Sequence, residues 1–364
     1  MKFSFYKSDM LDALKLVARS VAVKPSTPIL AGIYLKAEGS MLEMQSNDFT
    51  TGTIARIPVN VEVPGETVVI GKKFHEIMTR QPDDTVTAEL IDNQLEIRSG
   101  AAKFELLTYD KDDFPKVESP EGQSLKIKPS ILKEAITKTA FAVGKDDTRP
   151  IFKGIYFEIG GGEFKATATN THRLAHFKAA MPTSGEATAI IPAEPLKNLA
   201  MILPSDDEAL VAVTLNRKYA AFVVDNYLMR IRLPEGVYPQ YEKVIPKSVD
   251  FTAKVNRLEL KGALERMELI AKDAEYNNVR LMIERGTLTL SAQADGAKSA
   301  AEECVGIEGG KPLDISFNIA YLTDYVNRAD GNVLTISFND KYSPSLWQIE
   351  DNENYLYVAT PVRT

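Results

Sequence analysis

The sequence predicts an α+β protein made of three tandem copies of one module, each combining two short helices with antiparallel strands. Three features predict it: a self-similarity of long period, an amphipathic helix early in each period, and alternating apolar runs separated by turn residues.

Residues 28–48 read PILAGIYLKAEGSMLEMQSND and residues 150–170 read PIFKGIYFEIGGGEFKATATN, the same length without a gap. Pro28 answers Pro150, Gly32 answers Gly154, and the run Ile33 to Leu35 answers Ile155 to Phe157. A weaker third copy starts at Asn278 and puts Val279, Leu281 and Leu288 at the corresponding apolar places. The second half recurs as well: GETVVIGKKFHEIM at 65–78 corresponds to GEATAIIPAEPLKNLAM at 185–201 and to PLDISFNIAYLTDYV at 312–326. Asp113-Phe114-Pro115 answers Val237-Tyr238-Pro239. The offset of about 122 residues is well beyond the roughly 20–50 residues of a solenoid repeat. It therefore marks whole domains, expected at 1–125, 126–250 and 251–364.

Each module opens with a helix. Residues 8–20 put Leu11, Leu14, Val17 and Ala18 on one face, with Lys15 and Arg19 off it. Residues 129–143 repeat this with Ile131, Leu132 and Ile136, and residues 256–271 with Leu258, Leu260 and Leu264. Ser8 and Asn256 are the expected N-caps. Strands follow as alternating runs at Tyr34/Lys36, Leu42/Met44, Val86 to Leu90, Leu95 to Ile97 and Phe104 to Leu106. Turns are expected at Asp83-Asp84, Asp92-Asn93, Gly160 to Gly162 and Asp206-Asp207.

With 364 residues, 44% apolar and 26% charged, the chain has the composition of a soluble globular protein of two or three domains. The opening MKFSFYKSDM has no basic stretch followed by an apolar run, and nothing approaches the apolar length of a membrane span. The single cysteine, Cys304, excludes an intrachain disulfide framework, and a reducing cytoplasm is the expected location. The net charge of −7 argues against binding DNA through many phosphate contacts. It leaves room for a concentrated basic surface or a topological association.

Signals for catalysis are weak. His172 and His176 stand four apart, but Arg173 occupies the place where a zincin motif needs glutamate, and ATATNTHRLAHF alternates like a strand. The remaining histidine, His75, falls on a different expected helix, so no metal is expected. Gly71-Lys72-Lys73 only faintly resembles a phosphate loop, because Gly65 is misplaced and Lys73 stands where Ser or Thr would hold magnesium. Asp146-Asp147 and Asp206-Asp207 lie in turn-like stretches, where carboxylates are normally solvated. No nucleophile has an evident base, so no enzyme and no cofactor are expected.

Over its whole length the sequence resembles the beta subunit of bacterial DNA polymerase III, the sliding clamp family. The carrying residues are MKF at the start, Lys24-Pro25 with Pro28-Ile29-Leu30, Asp113-Phe114-Pro115, and Arg149 through Gly154. Thr169 through Leu174, Tyr238-Pro239 and Val244-Ile245-Pro246 continue the match. The third module adds Asn278 to Leu281, Phe317-Asn318, Tyr321 and Pro361-Val362-Arg363. The resemblance implies three DNA-clamp domains per chain and a head-to-tail homodimer closing six domains into a ring, with helices around the hole. It implies as partners duplex DNA held without sequence preference, the polymerase III catalytic subunit, the clamp loader, and other polymerases and repair proteins. A ring is held by topology, so a modest set of lysines suffices and the acidic balance is no obstacle.

The resemblance and the expected helices together assign site residues. DNA-binding falls to Lys24, Lys72, Lys73, Lys145, Arg149, Lys197 and Lys272, with Lys15, Arg19, Lys133, Lys138 and Arg266 as further candidates. The same helices carry Asp12, Glu76, Glu134, Glu259 and Glu265, and an ordinary solvated surface is the competing reading. The dimer interface is expected at Phe104, Leu106, Leu269 and Ile270, with plain core as the alternative. A groove for short linear peptides of partners is expected from Phe152, Thr169, Thr171, His172, Arg173, Leu174, Pro239, Lys243, Val244, Tyr276, Asn318 and Tyr321. Pro344, Leu346, Val358, Thr360, Pro361, Val362 and Arg363 complete it. The family usually has T-D-G-H-R-L and a methionine before the final proline, where this chain has Asn170-Thr171 and Thr360. These departures motivate an alternative, a specialised second clamp with altered partners. A repeated β-rich hydrolase is the other class considered, and it requires carboxylates converging in a cleft.

Overall fold

The computed structural model describes residues 1–23, 25, 27–182, 185–272, 277–294 and 299–362. In the first module β1 (Lys2–Tyr6) runs straight into α1 (Lys7–Val17). Five strands follow: β2 (Gly32–Glu38), β3 (Met41–Asn47), β4 (Thr51–Pro58), β5 (Asn60–Val63) and β6 (Gly65–Ile70). Then come α2 (Gly71–Thr79), β7 (Thr85–Ile91), β8 (Gln94–Ser99) and β9 (Ala102–Tyr109). The second module repeats the order with β10 (Ser124–Ile127), α3 (Pro129–Thr139), β11 (Gly154–Gly160), β12 (Glu163–Thr169), β13 (Arg173–Ala180) and β14 (Ala187–Pro192). It ends with α4 (Ala193–Ala200), β15 (Val211–Leu215), β16 (Tyr219–Val224) and β17 (Tyr227–Arg232). The third comprises β18 (Phe251–Asn256), α5 (Arg257–Ala271), β19 (Asn278–Glu284), β20 (Thr287–Gln293), β21 (Ala300–Gly309) and β22 (Leu313–Asn318). It closes with α6 (Ile319–Arg328), β23 (Val333–Phe338), β24 (Ser345–Ile349) and β25 (Asn352–Ala359). Among the described residues no helix is long and apolar enough to cross a membrane.

The chain divides into two compact units, Met1–Lys133 with Glu194–Leu233, and Glu134–Ala193 with Pro234–Thr364. The division passes through the middle module, because its strands join neighbours on two sides. In the first unit β17 pairs with β4, and the result is one continuous sheet of 13 strands. In the second unit β13 pairs with β25 within a sheet of 12 strands. Both joins are antiparallel and in equivalent places of the repeat, so one pattern of backbone bonding is used twice.

Apolar spacing places the helices. α1 buries Met10, Ala13, Leu14, Leu16 and Val17, and Met10, Ala13, Leu14 and Val17 pack with Phe3, Leu35, Leu42 and Phe74 in the first module's core. The expected face is shifted slightly, since Leu11 and Ala18 are only half-buried. Helix α5 buries Leu260, Ala263, Leu264 and Met267, whereas Leu258, expected on that face, is exposed. Asn256 is an N-cap as expected, its Oδ1 accepting from the backbone of Leu258 at 2.9 Å and Glu259 at 3.1 Å. Ser8 is not: the helix begins at Lys7, directly after β1, and Tyr6 holds the capping position. A cap missed by sequence lies at α3, where the Asp207 carboxylate accepts from Ser130 N at 2.9 Å and Ser130 Oγ at 2.8 Å.

Besides the strands that end the two sheets, β9 and β21 are unpaired along most of one side. β9 pairs with β8 from Ala102 to Leu107 but with β6 only at Thr108 and Tyr109. β21 pairs with β20 from Ala300 to Gly306 but with β18 only from Ile307 to Gly309. Among the described residues nothing covers the other side of 102–107 or of 300–306. Uncovered edges of this length are aggregation hazards unless another strand takes them.

Candidate functional site

In the second unit the turn between β12 and β13 is held by its own polar side chains. Thr169 Oγ1 accepts from Thr171 N at 3.1 Å and donates to the carbonyl of Arg173 at 2.6 Å. Asn170 Oδ1 accepts from the backbone of His172 and of Arg173, both at 3.0 Å. This network forces Thr171 to φ 77°, a left-handed conformation that a β-branched side chain adopts only under strain. Glycine adopts it freely. Thr171→Gly is therefore expected to stabilise the protein by about 1 kcal/mol, read as a higher urea midpoint; an unchanged or lower midpoint contradicts strain at this turn.

Arg173 follows, with only 7% of its surface exposed. Its Nη1 meets Asp324 Oδ2 at 2.7 Å and its Nη2 donates to the carbonyl of Phe141. The guanidinium lies 4.5 Å from the Tyr321 ring centre and 5.4 Å from that of Phe141. Arg328 stacks on Phe141 at 4.6 Å and also pairs with Asp324 at 3.0 Å. A buried cation is tolerated here because carboxylate, carbonyl and two ring faces replace its water. Its Nε is buried without a hydrogen-bond partner among the described residues.

Above these residues opens a groove of about 520 Å³. Phe152, Thr171, His172, Arg173 and Tyr321, all expected groove residues, line it. Beside it Leu174, Leu346 and Val358 form a buried apolar cluster with Ile190, Tyr238 and Tyr241. Tyr238 stacks on Tyr156 at 4.8 Å and meets Phe152 edge-on at 6.5 Å; its burial pushes the phenol well above its usual range. The final strand is tied in by Thr360 N, which donates to His172 O at 2.9 Å, and by Val362 N, which donates to Ser316 O at 2.8 Å. Pro361 is buried, Asn318 and Pro344 are half-buried, and Pro239, Lys243 and Val244 lie on an exposed stretch. Tyr276 and Arg363 lie outside the described residues. Asp324, Asn170, Ala320 and Val143 also line the groove, and sequence reasoning did not include them.

His176 is a structural histidine, not a partner of His172. It lies on β13, nearly buried, with Nδ1 2.9 Å from Thr167 Oγ1 and its ring tilted on Tyr241 at 5.4 Å. Burial first, then the charges of Lys165 and Lys178, lower its pKa to about 4.

The expected DNA-binding residues are less uniform. Lys72 and Lys73 open α2 and are exposed, with Lys73 held 3.1 Å from Glu76. Lys197 pairs with Glu194 at 2.6 Å, Lys15 with Asp12 at 2.6 Å, and Arg266 with Glu303 at 2.5 Å. Lys133 and Lys272 are exposed, and Arg19 reaches Asn198 at 3.4 Å. Lys24 lies outside the described residues. Lys138 requires correction: it is 4% exposed, pairs with Glu134 at 2.5 Å and Asp330 at 2.9 Å, and lies over the rings of Tyr355 and Phe177. It is structural. Lys145 and Arg149 line the groove just described.

The interface residues also divide. Leu106 is 7% exposed and packs in the first module's own core, so it stands corrected to a core residue. Phe104 is partly exposed, and Leu107, on the opposite face of β9, is 65% exposed. Leu269 is exposed and Ile270 half-buried near the end of α5.

Three family models match along the chain, described as the DNA polymerase III beta subunit N-terminal domain over residues 1–118, central domain over 126–240 and C-terminal domain over 242–363. The beta sliding clamp of Bacillus subtilis is 30% identical and that of Pseudomonas aeruginosa 28%, each alignment covering 100% of both chains. Among solved structures, the DNA polymerase sliding clamp of Bacillus subtilis superposes with a TM-score of 0.93 at 29% identity, covering 100% of this chain and 99% of that one. A Pseudomonas aeruginosa sliding clamp bound to griselimycin gives 0.93 at 28% identity, with 100% of both chains covered.

Proposed function

The chain belongs to the DNA polymerase III beta subunit family, and from that premise we propose that it is a sliding clamp, a non-catalytic ring that encircles duplex DNA and tethers polymerases to it. Its partners are then duplex DNA, a second copy of itself, the polymerase III catalytic subunit, the clamp loader, and other polymerases and repair proteins. The relatives are beta sliding clamps, and they give no support to a specialised second clamp. We infer module boundaries near 125 and 250, close to the limits of the three family matches.

The observation that carries the ring is the twice-used strand join with its two unused ends. β4 meets β17 and β13 meets β25, so the next member of the series is β21 meeting β9 of a second chain. The register follows from the repeat. Ala55 faces Tyr227 in the first join, and Phe177 faces Tyr355 in the second. Glu303 takes the place of Phe177, because Leu290 pairs with Glu303 as Ala166 pairs with Phe177. Ala102 takes the place of Tyr227, because Ser99–Ala102 closes the β8–β9 hairpin as Val224–Tyr227 closes β16–β17. Glu303 then faces the partner's Ala102, which sets Lys103 opposite Glu302 and Phe104 opposite Ala301. Opposite charges directly across strands favour this register. Phe104, Leu107 and Leu269 bring apolar surface to the joint, with Ile270 beside them.

Local pairing of Lys15, Lys73 and Lys197 with acidic neighbours suits a protein that must slide: softened cations attract the duplex without gripping individual phosphates. Affinity for proteins resides in the groove at Phe152, Thr171, His172, Arg173 and Tyr321, where a short peptide places an apolar anchor. Because the sequence offers no nucleotide site, an external ATP-driven opener loads the ring.

Light scattering after size exclusion should give twice the chain mass of 40.2 kDa. After loading, the protein should stay on circular DNA and leave when that DNA is linearised. A monomer that is never retained overturns the proposal.

A further inference from the structure

The linker that leaves each of the first two modules lies back over that module's own sheet. Phe114 stacks on Tyr34 at 5.6 Å, and Tyr238 stacks on Tyr156 at 4.8 Å. The first linker is also held by its backbone: Asn47 Nδ2 donates to Pro115 O at 2.9 Å, and Gln45 Oε1 accepts from Val117 N at 2.8 Å. Each linker then crosses a strand join. Val117 clusters with Ile54 of β4 and Leu228 of β17, and Tyr241 clusters with Leu174 of β13 and Val358 of β25. Both joins within the chain are thus strapped by apolar side chains.

Strand register locates the same place in the third module. Tyr34 faces Gln45 and Val68, Tyr156 faces Thr167 and Ile190, and Arg280 faces Ser291 and Ser316. Here lies an open pocket of about 500 Å³, lined by Asn278, Arg280, Ser291, Gln293, Glu302 and Ser316 among others. It shares no lining residue with the groove at the β12–β13 turn. A Cβ at Gly32 would lie 2.5 Å from Val68 Cγ1 and one at Gly154 2.6 Å from Ile190 Cγ2, whereas the small Ser316 leaves room for Asn278. Ion pairing uses up the pocket's charges. Arg280 meets Asp314 through Nε at 2.7 Å and Nη2 at 2.5 Å, and the ring register sets the partner's Lys103 opposite Glu302. Two features are left over: the flat face of the Arg280 guanidinium, and Asn278 Oδ1, which is buried without a hydrogen-bond partner among the described residues. An aromatic ring suits the first and a backbone N–H the second.

We propose that this pocket seats an extended, uncharged segment of another protein, which lays an aromatic side chain on Arg280 and runs on across β21 to strap the joint between the two chains. The seat repeats what Phe114 and Tyr238 occupy, and it is continuous with the joint through Glu302. Electrostatic complementarity favours a neutral occupant, because a charged one finds no unpaired charge to meet. The inference rests on the ring reading and goes beyond it.

The probe is the second linker's own uncharged sequence, GVYPQY of residues 236–241, made as a labelled peptide with blocked ends. A second peptide has both tyrosines replaced by alanine, and each is titrated by fluorescence anisotropy against the intact protein. The tyrosine peptide should bind more tightly. Arg280→Ala should weaken it about four-fold and leave the alanine peptide unchanged. Arg280 and Asp314 are both about half exposed, so the variant keeps its fold. At saturating tyrosine peptide the dissociation constant of the dimer, read by dilution, should fall about five-fold. Equal binding of the two peptides, binding indifferent to Arg280→Ala, or binding that leaves the dimer unchanged each overturns the proposal. A chain that is monomeric with and without peptide removes the ring reading and the strap with it; Arg280-dependent binding on that monomer would show that the ring reading failed and not the seat.

Discussion

Glu105→Pro should leave the chain folded, convert it to a monomer, and abolish its retention on circular DNA. The expectation comes from which way each backbone group of β9 points. Thr108 N donates to Asn93 O at 3.0 Å, toward β8, and in a strand successive groups alternate. Even-numbered residues of β9 therefore bond to β8, and odd-numbered ones point to the open edge. Glu105 is exposed, and its N–H contributes nothing to the internal ladder. A proline there is tolerated within the chain, as prolines are on edge strands, but it removes a donor from the joint and puts a ring in the path of the incoming strand. Both joints of a two-chain ring use this strand, so both are lost together. Glu302→Lys tests the register separately. It sets two lysines opposite each other at each joint, about 0.7 kcal/mol apiece, and should weaken association roughly ten-fold. A dimeric Glu105→Pro protein would show that β9 is not the joining edge, and an unaltered Glu302→Lys dimer would show that the register is different.

The repeat made most of the fold legible. Its period located every helix, because the alternation between period 3.6 and period 2 occurs three times at one spacing, and Asn256 marked the start of α5 by its side chain alone. Burial was less legible than order. Phe104 and Leu106 do share a face of β9, as alternation requires, but that face turns toward Leu95 and Ile97 in the core, and the freely exposed apolar side chain is Leu107. Lys138 read as one more cation on a helix, while packing makes it a covered residue between two aromatic rings and Asp330. The groove shows the same limit. The run ATATNTHRLAHF alternates like one strand, but the chain breaks it at Asn170 to His172 into β12 and β13, and the partner of Arg173 is Asp324, which local pattern cannot connect across 151 positions.

Acid should destabilise the second unit through His176, and by more than any single surface charge can. The imidazole has a folded pKa of about 4 against 6.5 for the free side chain, chiefly because burial penalises its charged form. Above pH 6.5 the ring is neutral in both states and contributes no pH dependence. As the pH falls below that value the unfolded chain takes up a proton that the folded chain refuses, so stability declines by about 1.4 kcal/mol per pH unit. The decline ends near pH 4, where the folded state accepts the proton as well. Across the window the loss is about 3 kcal/mol, a large share of the stability of an ordinary domain. His176→Gln keeps a polar group near Thr167 Oγ1 but cannot titrate. Urea unfolding of both proteins at pH 7 and 4.5 isolates the histidine, because the carboxylates contribute equally to each. The unaltered protein should lose about 2.5 kcal/mol more than the variant over this interval. Equal losses would mean that His176 is free to ionise in place. The consequence reaches the groove, since His176 lies on the same strand as Arg173 and tilts against Tyr241 of the apolar cluster. Peptide binding should therefore weaken as the pH falls through this window.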